Sequence, residues 1–216
     1  MISRKLLTLA TAAVLGLSLS VPQDAHAGAY DDILHAANLN ETDKVVDLLR
    51  RGMDVNTTDA QGSTLLMIAV RGNNIELVRF LLANRVNALR KNNYGDTALM
   101  IAALQGNANI VQLMLEHKIN PNHSGWNALH YAAYGGKEQI IALLLAAGAD
   151  VNQKAPNGQS ALMLASKLGH FSAVRMLVGA HADLSIQHPI EGSALDIARN
   201  AGHSDIATFL EKADSR

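Results

Sequence analysis

The nine histidines are the residues of this sequence best suited to chemistry, because imidazole can bind zinc or transfer protons near neutral pH. No two of them are three or four residues apart, the spacing that places a zinc-binding pair on one face of a helix. The sequence has no cysteine, which excludes disulfides, thiolate metal sites and cysteine nucleophiles. Glycine-rich phosphate loops and a Gly-x-Ser-x-Gly elbow are also missing. We therefore predict no catalytic residue, no metal site and no cofactor.

Composition narrows the class of protein further. Of the 216 residues, 49% are hydrophobic but only 4% are aromatic, so the apolar mass is mainly Ala, Leu, Ile, Val and Met and favours helices. The 18 basic and 19 acidic residues nearly balance, which argues against nucleic acid or an anionic membrane as the partner. The sequence is typical of a helical protein that binds something else.

The N-terminal segment, residues 1–27, is typical of a cleavable export signal. Arg4 and Lys5 precede an apolar stretch over residues 6–20, and Ala25-His26-Ala27 places small residues at the cleavage positions. The apolar stretch is shorter than the roughly 20 residues that span a bilayer, so we predict no membrane anchor after cleavage. We expect cleavage after Ala27, or alternatively after Ala29, and a periplasmic protein.

The remaining sequence repeats one unit of about 33 residues. A leucine recurs with an alanine three residues later and a hydroxyl or amide residue two residues earlier. The leucines are Leu66, Leu99, Leu129, Leu162 and Leu195; the polar residues are Thr64, Thr97, Asn127, Ser160 and Ser193. Such a period predicts stacked helical units, in which no unit can bury its apolar face alone.

Each position of the aligned repeats, which we call a column, predicts a local structure. The polar residue caps the first helix, and a Gly or Asn seven residues after the leucine ends it in a left-handed conformation. A second amphipathic helix and an extended finger follow. A first unit keeps only part of the pattern, in Leu34, Ala36 and Asn40. This gives six units: about 29–58, 59–91, 92–121, 122–154, 155–187 and 188–216.

These residues resemble the ankyrin repeat family. The best match is the run from Asn127 to Ala133, followed by Gly136 and by the Gly-Ala-Asp-Val-Asn run at 148–152. The resemblance implies an all-α solenoid over residues 28–216, with helix-turn-helix units joined by fingers like β-hairpins. The family histidine is kept only as His130, and Met67, Met100 and Met163 replace it in three other units.

In this family, partners usually contact the finger tips and the exposed side of the first helix. Three of the eight aromatic residues fall in these variable columns, whereas Tyr131 and four others fall mostly at core positions. Trp126 has two interpretations: a hot spot for a partner, or a cover for a finger shortened by three residues. We predict a protein-binding patch centred on Tyr94, Leu104, Trp126 and Tyr134, with a charged rim of Arg71, Arg90, Lys91, Asp96 and Lys167.

The resemblance implies a non-catalytic module that binds and stabilises, inhibits or localises a protein partner. Small exported bacterial proteins of this family are associated with catalase and oxidative-stress defence, an association that no residue here indicates. An immunity or inhibitor protein against a periplasmic toxin and a secreted effector that acts on host proteins are the alternatives. Oligomeric state is not predicted.

Overall fold

The computed structural model describes residues 23–215 of the chain. These residues form twelve helices: α1 (Gln23–Asn38), α2 (Thr42–Arg50), α3 (Leu65–Arg71), α4 (Ile75–Ala83), α5 (Ala98–Gln105), α6 (Ala108–Glu116), α7 (Ala128–Tyr134), α8 (Glu138–Ala146), α9 (Ala161–Lys167), α10 (Phe171–Gly179), α11 (Ala194–Asn200) and α12 (Ser204–Asp214). Each odd-numbered helix packs against the even-numbered helix that follows it, so the helices form six pairs.

The six pairs stack in chain order. Every odd-numbered helix contacts the next odd-numbered one, and the even-numbered helices form a second layer in the same way. Contacts therefore run between neighbouring units, which is the arrangement of a solenoid. The predicted all-α fold of about six helix-turn-helix units is confirmed.

Side-chain caps begin the first helix of five units, as the repeat predicts. The Thr97 hydroxyl accepts the backbone N–H of Met100 at 3.3 Å, and Asn127 accepts that of His130 at 3.0 Å. The same bond recurs from Thr64, Ser160 and Ser193. Each cap satisfies a backbone donor that the helix itself leaves free.

Left-handed residues follow the first helix of each unit. The predicted positions all have positive φ: Asn40, Asn73, Gly106, Gly136, Gly169 and Gly202. At Gly136 a side chain is also excluded by space, because a Cβ would lie 2.7 Å from Nδ1 of His170 in the next unit.

The leucine column lies between the helix layers. Leu66, Leu99, Leu129 and Leu162 are at most 1% exposed, whereas Leu195 in the last unit is only partly buried. The prediction was wrong by one residue in the first unit. Ile33 is fully buried, whereas Leu34 is only partly buried. Ile33 stands 33 residues before Leu66, so it keeps the period.

The fingers that join the units are held by turns and single bridges rather than by continuous strands. In the described part of the chain, the β-pairing consists of the isolated bridges Thr58–Thr64, Lys154–Ser160 and His188–Gly192. Side chains tighten these turns: the Asp59 carboxylate accepts the backbone N–H groups of Gln61 and Ser63 at 2.9 and 2.7 Å. The fingers thus present their tips at one edge of the stack.

The predicted export signal lies largely outside the described residues. Only its last five residues, 23–27, are described, and they form the start of α1. The two expected cleavage positions, after Ala27 and after Ala29, therefore fall within this helix. Of the helices between residues 23 and 215, none has the length and apolar character needed to cross a membrane.

Candidate functional site

Four predicted binding residues occupy the same position in successive units. Arg71, Leu104, Tyr134 and Lys167 stand at or near the ends of α3, α5, α7 and α9 and are separated by 33, 30 and 33 residues. Because first helices stack in order, these side chains form a row along one face. All four are exposed. The repeat therefore brings them together, with apolar residues in the middle and a cation at each end.

An aromatic cleft lies in the middle of this row. It has a volume of about 170 Å³ and is lined by Leu104, Trp126, Tyr131 and Tyr134. Leu104 is 39% exposed and Tyr134 is 52% exposed, so two apolar side chains of one concave feature are open to a partner. Three of the four predicted central residues thus line one concave feature, which we call the aromatic cleft.

Trp126 combines the two roles considered for it. Its ring packs edge-on against His130 and Tyr131, with centroid distances of 5.6 and 5.9 Å, and it is partly buried against the core. The indole therefore supports the shortened finger. The same ring also forms a wall of the aromatic cleft.

Tyr131 is the cleft residue that the sequence assigned to the core. It is only partly buried, and its hydroxyl donates a hydrogen bond to the Asp96 carboxylate on the finger of the preceding unit. Burial and this carboxylate raise the pKa of Tyr131 well above its usual range, so the phenol stays protonated. The sequence did mark Tyr131 as different, because in the last five units it is the only aromatic residue at a repeat position that is otherwise aliphatic. The other four units have Ile68, Ile101, Leu164 and Ile197 there.

Gln153 stabilises the shortened finger behind the cleft. Its side-chain nitrogen donates to the carbonyl oxygens of His123 and Gly125, and its side-chain oxygen accepts from Asn127 at 3.0 Å. Its backbone carbonyl oxygen lies 3.0 Å from Nε2 of His130. Gln153 thus connects both ends of the shortened finger and the start of α7.

Ion pairs flank the aromatic cleft on both sides. Arg71 lies 3.6 Å from the Asp59 carboxylate, and Lys167 lies 2.5 Å from Glu191. Lys167 and a second contact from Gln159 keep the pKa of Glu191 below its usual value. The two terminal cations of the row are therefore already paired with carboxylates of the chain.

The other predicted residues lie beside the cleft rather than in its walls. Tyr94, at a finger tip, is 75% exposed. Arg90 donates to the Asn56 carbonyl oxygen at 3.3 Å, and Lys91 donates to that of Ser124 at 3.4 Å. Both basic side chains thus connect neighbouring fingers.

In the described chain, five histidines have structural hydrogen bonds, namely His117, His130, His170, His188 and His203, whereas Nε2 of His123 is buried without a hydrogen-bond partner. Nε2 of His170 lies 3.0 Å from the carbonyl oxygen of Tyr134, and Nε2 of His203 lies 3.2 Å from that of Lys167. Each such contact connects the end of a first helix to the next unit. Within residues 23–215, no group of three or more His, Asp or Glu side chains is placed to bind a metal ion.

The family assignment follows from the repeat and its extent. A family model described as ankyrin repeats (3 copies) matches residues 33–124, 84–155 and 129–215. The chain belongs to the ankyrin repeat family. Ankyrin repeats mediate protein–protein interactions, and the fold is typically a non-catalytic interaction module.

Two solved structures contain chains that resemble this one. EF0377, an ankyrin repeat protein of known structure, is 31% identical, with a TM-score of 0.76 over 83% of this chain and 96% of its own. A chain in the complex of the predatory endopeptidase Bd0816 from Bdellovibrio bacteriovorus with immunity protein Bd3460 is 29% identical. Its TM-score is 0.73 over 84% of this chain and 97% of that one.

A curated relative shares only the repeats. The nuclear factor NF-kappa-B p105 subunit of Rattus norvegicus is 30% identical over 124 residues, which are 57% of this chain. The matched segment is 10% of the length of that relative. This similarity therefore concerns the ankyrin repeats and not the rest of that protein.

Proposed function

We propose that this ankyrin repeat chain is an exported, non-catalytic module that binds a protein partner at the aromatic cleft. The observation that carries the proposal is the cleft itself, in which exposed Leu104 and Tyr134 meet the rings of Trp126 and Tyr131. Exposed Trp and Tyr side chains beside a concave surface are enriched among the residues that dominate protein interfaces. Tyr94, at a finger tip, is a further exposed aromatic residue of the predicted patch.

The periplasm is the compartment that we propose for this interaction. The support is the pattern of residues 1–27, in which a basic start, an apolar stretch and small residues at the cleavage positions follow one another. A chain without cysteine would also be insensitive to disulfide formation there. Binding in that compartment would stabilise, inhibit or localise the partner.

A second candidate, an immunity or inhibitor protein, is favoured by one comparison. The Bd0816–Bd3460 structure contains an endopeptidase together with its immunity protein, and its similar chain is aligned over 97% of its length. By analogy, this chain would bind a periplasmic hydrolase and block its activity. The association with catalase rests on resemblance alone, as does an effector role outside the cell.

Partner capture from a periplasmic extract tests the proposal. The wild-type chain and Gln112→Ala, a change on the exposed face of α6, should capture the same protein. Tyr134→Ala should weaken that capture at least about tenfold, because it removes an exposed wall of the cleft. Equal capture by all three chains would contradict the proposed surface.

Two further measurements separate the variants of the proposal. Cell fractionation should find the mature chain in the periplasm, whereas its appearance in the medium would favour the effector. Adding the chain to the purified partner then distinguishes the roles: an inhibitor lowers the partner's activity, and a stabilising module raises its melting temperature without lowering activity.

A further inference from the structure

The walls of the aromatic cleft can attract cations as well as apolar groups. Three of its four lining side chains are aromatic, namely Trp126, Tyr131 and Tyr134. Aromatic rings carry partial negative charge on their faces, so they attract cations as well as apolar groups. Leu104 supplies the remaining wall, which suits an alkyl chain.

A carboxylate lies beside these rings. Tyr131 donates its hydroxyl to the Asp96 carboxylate, which places a negative charge next to a lining ring. The backbone around Asp96 is fixed, because its N–H donates to the Asn92 side chain at 2.9 Å. Asp96 is partly buried, so water screens its charge less than that of a fully exposed carboxylate.

No basic side chain of residues 23–215 forms an ion pair with Asp96. The nearest cations of the row have other partners, since Arg71 pairs with Asp59 and Lys167 pairs with Glu191. Lys91, on the same finger as Asp96, directs its amino group to the carbonyl oxygen of Ser124. Asp96 is therefore a carboxylate that lies beside the aromatic cleft and has no ion-pair partner among the described residues.

We propose that the aromatic cleft binds a lysine or arginine side chain of the partner, with its cation against the ring faces and the Asp96 carboxylate. The alkyl stem of such a side chain would lie against Leu104. This inference rests on the proposed function, because it names the group that the partner inserts into the cleft. It assigns Asp96 as the residue that selects a basic side chain over an apolar one.

The single tryptophan of the chain makes the cleft directly observable. The indole N–H signal of Trp126 can be followed by NMR while a short peptide, acetyl-Gly-Lys-Gly-amide, is added at millimolar concentrations. Its arginine counterpart tests the second cation. A norleucine counterpart has an alkyl side chain of similar length without the charge. The lysine or arginine peptide should bind at least about tenfold more tightly than the norleucine peptide.

Two variants assign that preference to the cleft. Asp96→Asn keeps an acceptor for the Tyr131 hydroxyl but removes the charge, and should reduce the preference to about twofold or less. Tyr134→Leu keeps an apolar wall but removes a ring, and should reduce the preference in the same direction. Tyr30→Leu is the matched control, because this exposed tyrosine of α1 does not line the cleft, and it should leave the preference unchanged.

The outcomes are distinct. Equal binding of the norleucine and basic peptides would show apolar docking and overturn the inference, as would an unshifted Trp126 signal with every peptide. An unchanged preference in Asp96→Asn would overturn the role of that carboxylate. If Tyr134→Ala still abolishes capture of the partner while the peptides show no charge preference, the inference fails and the proposed function stands.

Discussion

The side-chain oxygen of Asn56 accepts the backbone N–H of Asn87 at 2.8 Å and so connects the fingers of the first two units. The same bond connects later fingers, from Asn122 to Asp150 at 2.8 Å and from Asn152 to Asp183 at 2.7 Å. These asparagines stand at one position of the repeat. Together they form a hydrogen-bonded ladder along the edge of the solenoid.

The ladder is interrupted at Leu89. This residue stands 33 positions after Asn56 and 33 before Asn122, and its side chain offers no oxygen to the next finger. It is also 51% exposed. We expect Leu89→Asn to raise the free energy of unfolding by about 1 kcal/mol, the net value of a typical hydrogen bond. Urea denaturation would measure the change, and Leu89→Ala is the control that removes the leucine without adding an acceptor. An equal gain in both variants would contradict the ladder.

Substitution of Gly148 and of Gly136 distinguishes two ways in which a side chain at a left-handed position destabilises the fold, namely backbone strain and a clash with a neighbouring side chain. Both have positive φ, of 82° and 60°, but a Cβ at Gly148 meets nothing within 4 Å, whereas one at Gly136 meets the His170 ring. Gly148→Ala should therefore lower the free energy of unfolding by about 1 kcal/mol, from backbone strain alone. Gly136→Ala should lower it by a further 1–3 kcal/mol or so, because the His170 ring must move. Similar losses in the two variants would mean that the clash is relieved without cost. Thermal or urea denaturation provides the measurement.

The fold was predictable from the sequence because its repeat is local and periodic. One leucine, one cap and one left-handed residue per unit fixed the register from Thr64 to Gly202. The structure confirms the caps and the left-handed residues, and it buries every leucine of this column except Leu195, which is partly buried. In the first unit only the leucine was misplaced, by one residue, since Ile33 and Leu34 are both apolar; Ala36 is buried and Asn40 has positive φ, as predicted. The row of Arg71, Leu104, Tyr134 and Lys167 also followed from the period.

The chemistry of the cleft was less predictable, because it depends on contacts between units. Tyr131 stands in an aliphatic column that is mostly buried, and its hydroxyl reaches Asp96 in the preceding unit. Contacts such as those of the Gln153 side chain with the shortened finger also have no counterpart in the repeat pattern. Periodicity therefore predicts which positions face outward but not which of them meet.

His130 should make stability depend on pH. Burial lowers its pKa below the usual value of 6.5, although hydrogen bonds with Gln153 and Gln159 oppose this. The unfolded chain therefore takes up a proton more readily than the folded one. The contribution of His130 is complete above pH 6.5 and is lost as the pH falls below it towards the lowered pKa. The free energy of unfolding should thus decrease between about pH 7.5 and 5.5, as urea denaturation at several pH values would measure.

The sequence supplies a matched variant for this test. Met67, Met100 and Met163 occupy the position of His130 in other units, so His130→Met should be tolerated and should flatten the pH dependence. Some slope should remain, because burial and Lys91 also lower the pKa of His123. Identical slopes in the wild type and His130→Met would contradict the assignment.

Trp126→Ala and Tyr134→Ala should differ in their effects on folding, although both remove a wall of the same cleft. The Trp126 indole is partly buried and packs on His130 and Tyr131, so its loss should lower the free energy of unfolding by about 1–3 kcal/mol. Of the two interpretations of Trp126, this packing corresponds to the cover for the shortened finger. The Tyr134 side chain is 52% exposed, and its removal should change stability by no more than about 0.5 kcal/mol. Parallel urea denaturation of the two variants measures both values. A loss for Tyr134→Ala as large as that for Trp126→Ala would show that the cleft is part of the core, whereas the expected difference makes Tyr134→Ala the variant in which a binding defect can be separated from unfolding.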